Sequence, residues 1–195
     1  MRSGAVISMP GIGYASMADC EPRFLTELFN YSPRGVIKFP SPRTPEEAWR
    51  RTFGGLRSPL RGVEVRMINA PGEGPPRDLR DELDLVGRGL EEALGKALPI
   101  ASINYAAYKG SRASCEEVAA IDRFLAGIFG RLDEYMILSP FGDPVDGDFE
   151  EYGIYISSVE RPSHEDVIAP EQVPLLVAEL ADRMRYRPAG LRRRG

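Results

Sequence analysis

Histidine is all but missing from this chain of 195 residues; His164 is the single one. That excludes a two-histidine metal site and the H-E-x-x-H arrangement, and leaves at most one Ser-His or Cys-His pairing. Any metal would have to rest mainly on carboxylates. Cysteine is scarce as well. Cys20 and Cys115 lie in different segments without C-x-x-C spacing, so neither a zinc knuckle nor a disulfide framework is indicated, and a reduced, cytoplasmic location is the expectation. Lysine is confined to Lys38, Lys96 and Lys109, so nearly all the positive charge is arginine, a residue suited to ion-pair networks. No apolar run approaches the roughly 18 to 20 residues of a membrane span, and MRSGAVISMPGIG holds too short an apolar stretch for a signal peptide. There is no basic surplus either. A formal charge of −4 and a pI near 5.2 argue against a nucleic-acid partner. A phosphate-bearing small molecule or a protein partner remains open, and no membrane association is expected.

What is present suffices for one substantial core. With 43% apolar residues, the chain reads as a single domain over residues 1–187, followed by a basic flexible tail at 188–195. Strand signals fall at AVISMP from Ala5, GVIKFP from Gly35, VEVRMINA from Val63, LPIASINY from Leu98, YMILS from Tyr135 and YGIYISSV from Tyr152. Between them come helical stripes. Phe24, Leu25, Leu28 and Phe29 form one. Asp78–Leu98 carries Leu79, Leu83, Val86, Leu90 and Leu94; Ser114-Cys-Glu-Glu117 is a capping box opening a helix with Val118, Ile121, Leu125, Ile128 and Leu132 on one face. Ala169–Arg187 supplies a last helix, with Pro170 and Pro174 tolerable only in its first turn. The alternation predicts an α/β fold: a three-layer sandwich with a mainly parallel central sheet flanked by helices. Ligands in such sheets gather beyond the carboxyl ends of the strands, which directs attention to the loops after Pro10, Pro40, Ala70, Tyr105 and Ser139.

The stretch FPSPRTPEEAWRRTFGGLRSPLRG, from Phe39 to Gly62, places Thr44 at a helix start. As T-P-x-E it reads as an N-cap, with Pro45 at the first helical position and Glu47 reaching back to the cap amide. A hydroxyl beside free helix amides is also where an attacking oxygen would meet a phosphate, so Thr44 is the candidate catalytic nucleophile. Four cations, Arg57, Arg61, Lys109 and Arg112, are candidates for an anion-binding pocket if their loops converge, because arginine forks grip phosphate without a metal. Asp143, Asp146, Asp148, Glu150 and Glu151 crowd one loop. Their spacing does not match the EF-hand, and a solvated acidic loop stands against an oxygen-ligand metal site. GIGY at Gly11–Tyr14 lacks the third glycine of a dinucleotide loop and any GK[ST], so its glycines read as steric. Cys115, just inside a helix and with no base identified, reads as structural.

Four segments in order resemble the alkaline-phosphatase-like superfamily, in particular its type I phosphodiesterase/nucleotide pyrophosphatase and cofactor-independent phosphoglycerate mutase branches. VISMPGIGY is similar to the family's opening strand followed by Asp-Gly. SPRTPEEAWRRTFGGLRSPLRGV looks like its nucleophile segment, with Thr before Pro and Trp. SRASCEEVAAIDRFLAGIFGRLDEYMILSPFGDP looks like the helix bearing Ile-Asp and the strand ending in Ser-Asp-His-Gly. YGIYISSVERPSHEDVIAPEQVPLLVAEL resembles the closing strand, loop and helix. The resemblance implies two divalent metals, zinc or manganese, that activate a threonine and neutralise phosphoryl oxygens. The ligand positions depart from it. Pro10 stands at the first-strand aspartate, Pro140 and Phe141 at the Asp-His pair, Arg61 at the histidine of His-Gly, and YAAYKGS follows Asn104 without histidine or aspartate. The expectation is therefore a divergent domain that has lost its two-metal centre and serves as a non-catalytic binding or assembly module, with no cofactor. The alternative is a metal-dependent phosphoester hydrolase that uses Thr44, with a rebuilt site drawing on Asp143, Asp146, Asp148 and His164. A scaffold subunit of a larger enzyme is a third reading.

Overall fold

A computed structural model describes residues 2–72, 75–160 and 166–185. The chain is mixed α/β. Seven strands form one sheet in the order β3-β4-β1-β5-β8-β2-β9, comprising β1 (Gly4–Ser8), β2 (Arg34–Lys38), β3 (Val65–Ile68), β4 (Leu98–Ser102), β5 (Glu134–Ser139), β8 (Tyr152–Ser157) and β9 (Val167–Ile168). The pairings β3-β4, β4-β1, β1-β5 and β2-β9 are parallel, and β8 runs antiparallel to both neighbours. A short hairpin, β6 (Pro144–Val145) and β7 (Asp148–Phe149), stands apart as a sheet of its own.

Alternation along β1 divides its side chains between two apolar cores. Ala5 and Ile7 join one apolar core and Val6 the other, as the two-residue period of a strand requires. The first core takes Leu79, Leu83, Val86 and Leu90 from α4 (Leu79–Ala93) and Val118, Ile121 and Leu125 from α6 (Cys115–Phe129). Also on it are Met17 from α1 (Tyr14–Cys20) and Leu25 from α2 (Arg23–Tyr31). Phe53 of α3 (Pro45–Phe53) and Val173, Leu176, Val177 and Leu180 of α7 (Val173–Arg185) pack into the second.

The predicted stripes are buried at Leu79, Leu83, Val86 and Leu90 of α4 and at Val118, Ile121 and Leu125 of α6, because a leucine or valine every three or four residues has one face to bury, while Leu94, Ile128 and Leu132 at their far ends are half-buried. The expected helix over Asp78–Leu98 ends sooner, at Ala93. Gly95 turns the chain at φ 78 and Leu98 already belongs to β4. Ser114 forms the expected reciprocal box with Glu117, amide to hydroxyl at 3.3 Å and amide to carboxylate at 2.7 Å. The last helix starts later than expected, after a 3-10 turn at Pro170–Gln172, and the described part ends at Arg185; the tail at 188–195 lies outside the described residues.

Four elements carry no periodic signal: α1, α5 (Tyr105–Lys109), the β6-β7 hairpin and β9. Contacts distant in sequence hold several of them. The turn before α1 is built by Gly11, at φ 83, and by Gly13, where a Cβ would fall 2.5 Å from Asp143 Oδ2. At α2 no side chain of its own caps the start. Asp122 of α6, buried, accepts the amides of Phe24 at 3.1 Å and Leu25 at 2.8 Å instead. One expectation is overturned. Cys20, at the end of α1, and Cys115, at the start of α6, form a disulfide across 95 residues of sequence, their Cα atoms 5.0 Å apart. Spacing in sequence carries no trace of it, since the pairing arises where two helices pack.

Candidate ligand-binding site

At the carboxyl ends of β1, β2 and β5 the chain places aromatic side chains. Phe39 follows β2, Phe141 follows β5 and Phe149 comes from β7; with Ala48 of α3 and Ala107 of α5 they form a separate apolar cluster. Phe39 and Phe141 meet edge to face at 5.8 Å, and Phe141 and Phe149 lie 4.7 Å apart. Arg43 straps the hairpin over them. Its Nε donates to the Phe39 carbonyl at 3.0 Å and its Nη1 to Asp148 at 2.7 Å. A guanidinium with two anchors fixes a turn that has little regular structure of its own.

Thr44 opens α3 beside this plug, one turn before Ala48. Its Oγ1 accepts the Glu47 amide at 3.2 Å, so the cap is made. The reciprocal half of the expected box is absent. Glu47 turns to Arg50, at 2.6 Å, and Arg51, at 3.2 Å, because two guanidiniums on its own face offer a stronger partner than one amide. The hydrogen bond from Arg50 is the largest cause that lowers its carboxyl below the ordinary range.

The two metals implied by the resemblance do not fit these residues. Pro10, Pro140 and Phe141 are buried and their side chains offer no donor. Asp143 is buried and already engaged: it accepts the Ser16 amide at 3.0 Å and the Ser16 hydroxyl, and Arg112 Nε stands 3.9 Å away. Asp146 is exposed at the hairpin tip with φ 48, and Asp148 pairs with Arg43. His164 lies outside the described residues. Among the described residues, no group of three His, Cys, Asp or Glu side chains is placed to hold a metal ion.

The four candidate cations divide between the ends of the sheet. Arg57 and Arg61 sit in the loop leading into β3, at the amino end. Arg61 approaches Asp182 at 3.8 Å, and its carbonyl accepts Arg185 Nη1 at 2.7 Å. Lys109 and Arg112 follow β4, at the carboxyl end, where Lys109 pairs with Glu117 at 2.8 Å and Arg112 with Asp19 at 2.9 Å. The loops do not converge on one anion.

A cavity of about 250 Å³ does open at the carboxyl end, beyond β3 and β4. Its floor is a buried polar cluster. Glu82, from the first turn of α4, accepts Asn69 Nδ2 at 2.7 Å and the Asn104 amide at 2.7 Å on Oε1, and the Tyr105 amide at 2.9 Å on Oε2. Asn69 also donates to the Ser102 carbonyl at 2.8 Å; Asn104 donates to the Asn69 carbonyl at 3.0 Å and accepts from the Ser102 hydroxyl at 2.6 Å. Asn69 follows β3 with φ 53, a left-handed geometry that asparagine tolerates better than most residues. Burial raises the Glu82 carboxyl above the ordinary glutamate range, against the three donors that pull it down. Ala70, Pro75, Pro76, Arg77, Asp81 and Leu85 complete the walls. Nearby, the Tyr108 hydroxyl donates to Glu46 at 2.5 Å, and burial with that bond pushes its phenol up to about 12.

The loops after Ala70 and Tyr105 were expected at a ligand site; Glu82 and Asn69 were not singled out. Glu82 sits on the core side of an amphipathic helix at a step of three from Leu79, and an acid on an apolar stripe was the signal available. No protein-family model matches this chain, and neither does any curated protein sequence.

Proposed function

We propose that this chain is a divergent alkaline-phosphatase-like domain, a three-layer sandwich in which the two-metal chemistry has been lost and a binding or assembly role retained. The Phe39-Phe141-Phe149 plug carries the reading. It stands at the place where the resemblance puts a cation pair, and an aromatic cluster neither coordinates a metal nor leaves room for one. The two apolar cores on opposite faces of the sheet support the layered architecture. Thr44 keeps its position at a helix start, but its hydroxyl serves the cap, and an alcohol with neither base nor metal beside it is a weak nucleophile. The alternative, a phosphoester hydrolase using Thr44, is favoured by one observation: Thr44 is exposed at the carboxyl end of the sheet. The Cys20–Cys115 bond bears on location, since disulfides persist in oxidising compartments and are rare in a reduced cytosol.

The test is metal analysis of the purified protein together with turnover of p-nitrophenyl phosphate and bis(p-nitrophenyl) phosphate. The binding reading expects neither stoichiometric zinc or manganese nor turnover. Bound metal at stoichiometry, with activity abolished in Thr44→Ala, would overturn it in favour of the hydrolase.

A further inference from the structure

The cavity beyond β3 and β4 has walls of opposite charge that do not neutralise each other. Arg77 and Asp81 both line it, and neither forms an ion pair with the other or with any described residue. We propose that this cavity binds a small zwitterion of the amino-acid type with an aliphatic side chain, its carboxylate on Arg77 and its ammonium on Asp81 and Asn69 Oδ1. The proposal deepens the binding-module reading and rests on it.

Charge selects the class. A simple anion would pair with Arg77 but face both Asp81 and Glu82; a simple cation would face Arg77; a neutral ligand would leave both wall charges without a partner. A zwitterion answers both at once. Geometry supplies the acceptor. Asn69 Nδ2 is committed to Glu82 and Ser102, which orients the amide. Its Oδ1 therefore stays open, accepting no hydrogen bond among the described residues. Glu82 and the Ser102 carbonyl hold that amide from behind, so little ordering is left to occur on binding. Pro75, Pro76 and Leu85 give an apolar wall; Leu85 is 44% exposed, a large side chain left open on the cavity side. A volume of about 250 Å³ falls below the roughly 300–1,000 Å³ typical of pockets for drug-sized ligands, which suits a metabolite of a few heavy atoms.

The full chain is titrated with L-leucine by calorimetry and by saturation-transfer NMR, alongside N-acetyl-leucine, which lacks the ammonium, and leucinamide, which lacks the carboxylate. Saturable binding of leucine is expected, with each blocked form weaker by about tenfold or more, since each loses a charge-assisted contact. Arg77→Gln is expected to abolish discrimination against leucinamide, and Asp81→Asn discrimination against N-acetyl-leucine. The absence of saturable binding by leucine, valine, isoleucine and methionine would overturn the proposal. So would equal binding of the blocked forms, or leucine affinity unchanged in both variants. The blocked ligands keep the test decisive if a variant fails to fold. Turnover of phosphate esters would strike the binding-module reading instead, and is read separately from these titrations.

Discussion

Phe39 and Phe141 meet edge to face with their ring centroids 5.8 Å apart at 73°, both fully buried. This contact joins the loops after β2 and β5 at the carboxyl end of the sheet. Phe141→Ala removes the ring from a cluster that Ala48 and Ala107 are too small to refill, and is expected to cost about 3–5 kcal/mol in urea unfolding. A cost below about 1 kcal/mol, less than an ordinary core truncation, would mean the plug is not packed as described.

Asp122 is the second lock. It accepts two amides at the start of α2 from across the core side of α6. Asp122→Ala leaves those donors without a partner and is expected to cost about 1–3 kcal/mol. Hydrogen exchange reads the mechanism directly: the amides of Phe24 and Leu25 should lose protection more than those of α4. Uniform loss across the chain would assign the effect to general destabilisation.

Glu82 sets a pH dependence. Its folded pKa lies above the ordinary value, so the native state holds a proton more tightly than the unfolded chain. Its contribution is therefore fully present below the unfolded value, about 4.3 for glutamate, and declines as pH rises through the folded value. Glu82→Gln removes that titration. The stability of the wild type relative to this variant is expected to fall as pH rises from about 4, measured by urea unfolding at a series of pH values. A difference that is flat or rises would contradict the raised value.

The Cys20–Cys115 bond closes a loop of 95 residues between positions. Replacing both cysteines by serine is expected to cost about 2–5 kcal/mol by the chain-entropy argument. Unfolding with and without a reducing agent provides the check: the reductant should destabilise the wild type and leave the double variant unmoved.

Thr52 points the other way. Its Oγ1 is buried on α3 without a hydrogen-bond partner among the described residues. Thr52→Val replaces that hydroxyl with a methyl of similar shape and is expected to be neutral or stabilising by about 1 kcal/mol. A clear loss in melting temperature would show that the hydroxyl has a partner.

Sequence alone determined whatever is settled within a turn or along one strand. The leucine and valine stripe of α4, the Ser114-Glu117 box and the Thr44 cap depend on residues three or four apart, and such neighbours meet in any helix whatever surrounds it. The mostly parallel sheet followed from the alternation of those elements. Phe141 and Pro140 were legible as residues unable to hold a metal, but the place of Phe141 in an aromatic plug was not. Tertiary structure decided the rest, because the partners are brought together only by folding. Asp143 reaches Ser16 across 127 positions, Glu82 reaches Asn104 across 22 and Cys20 reaches Cys115 across 95. An acid, an amide or a thiol keeps the same chemistry anywhere in a chain. Which group faces it, and whether water does, is set by the packing of elements far apart in sequence, and that packing turned an acidic loop into a lock and an acid on an apolar stripe into the floor of a cavity.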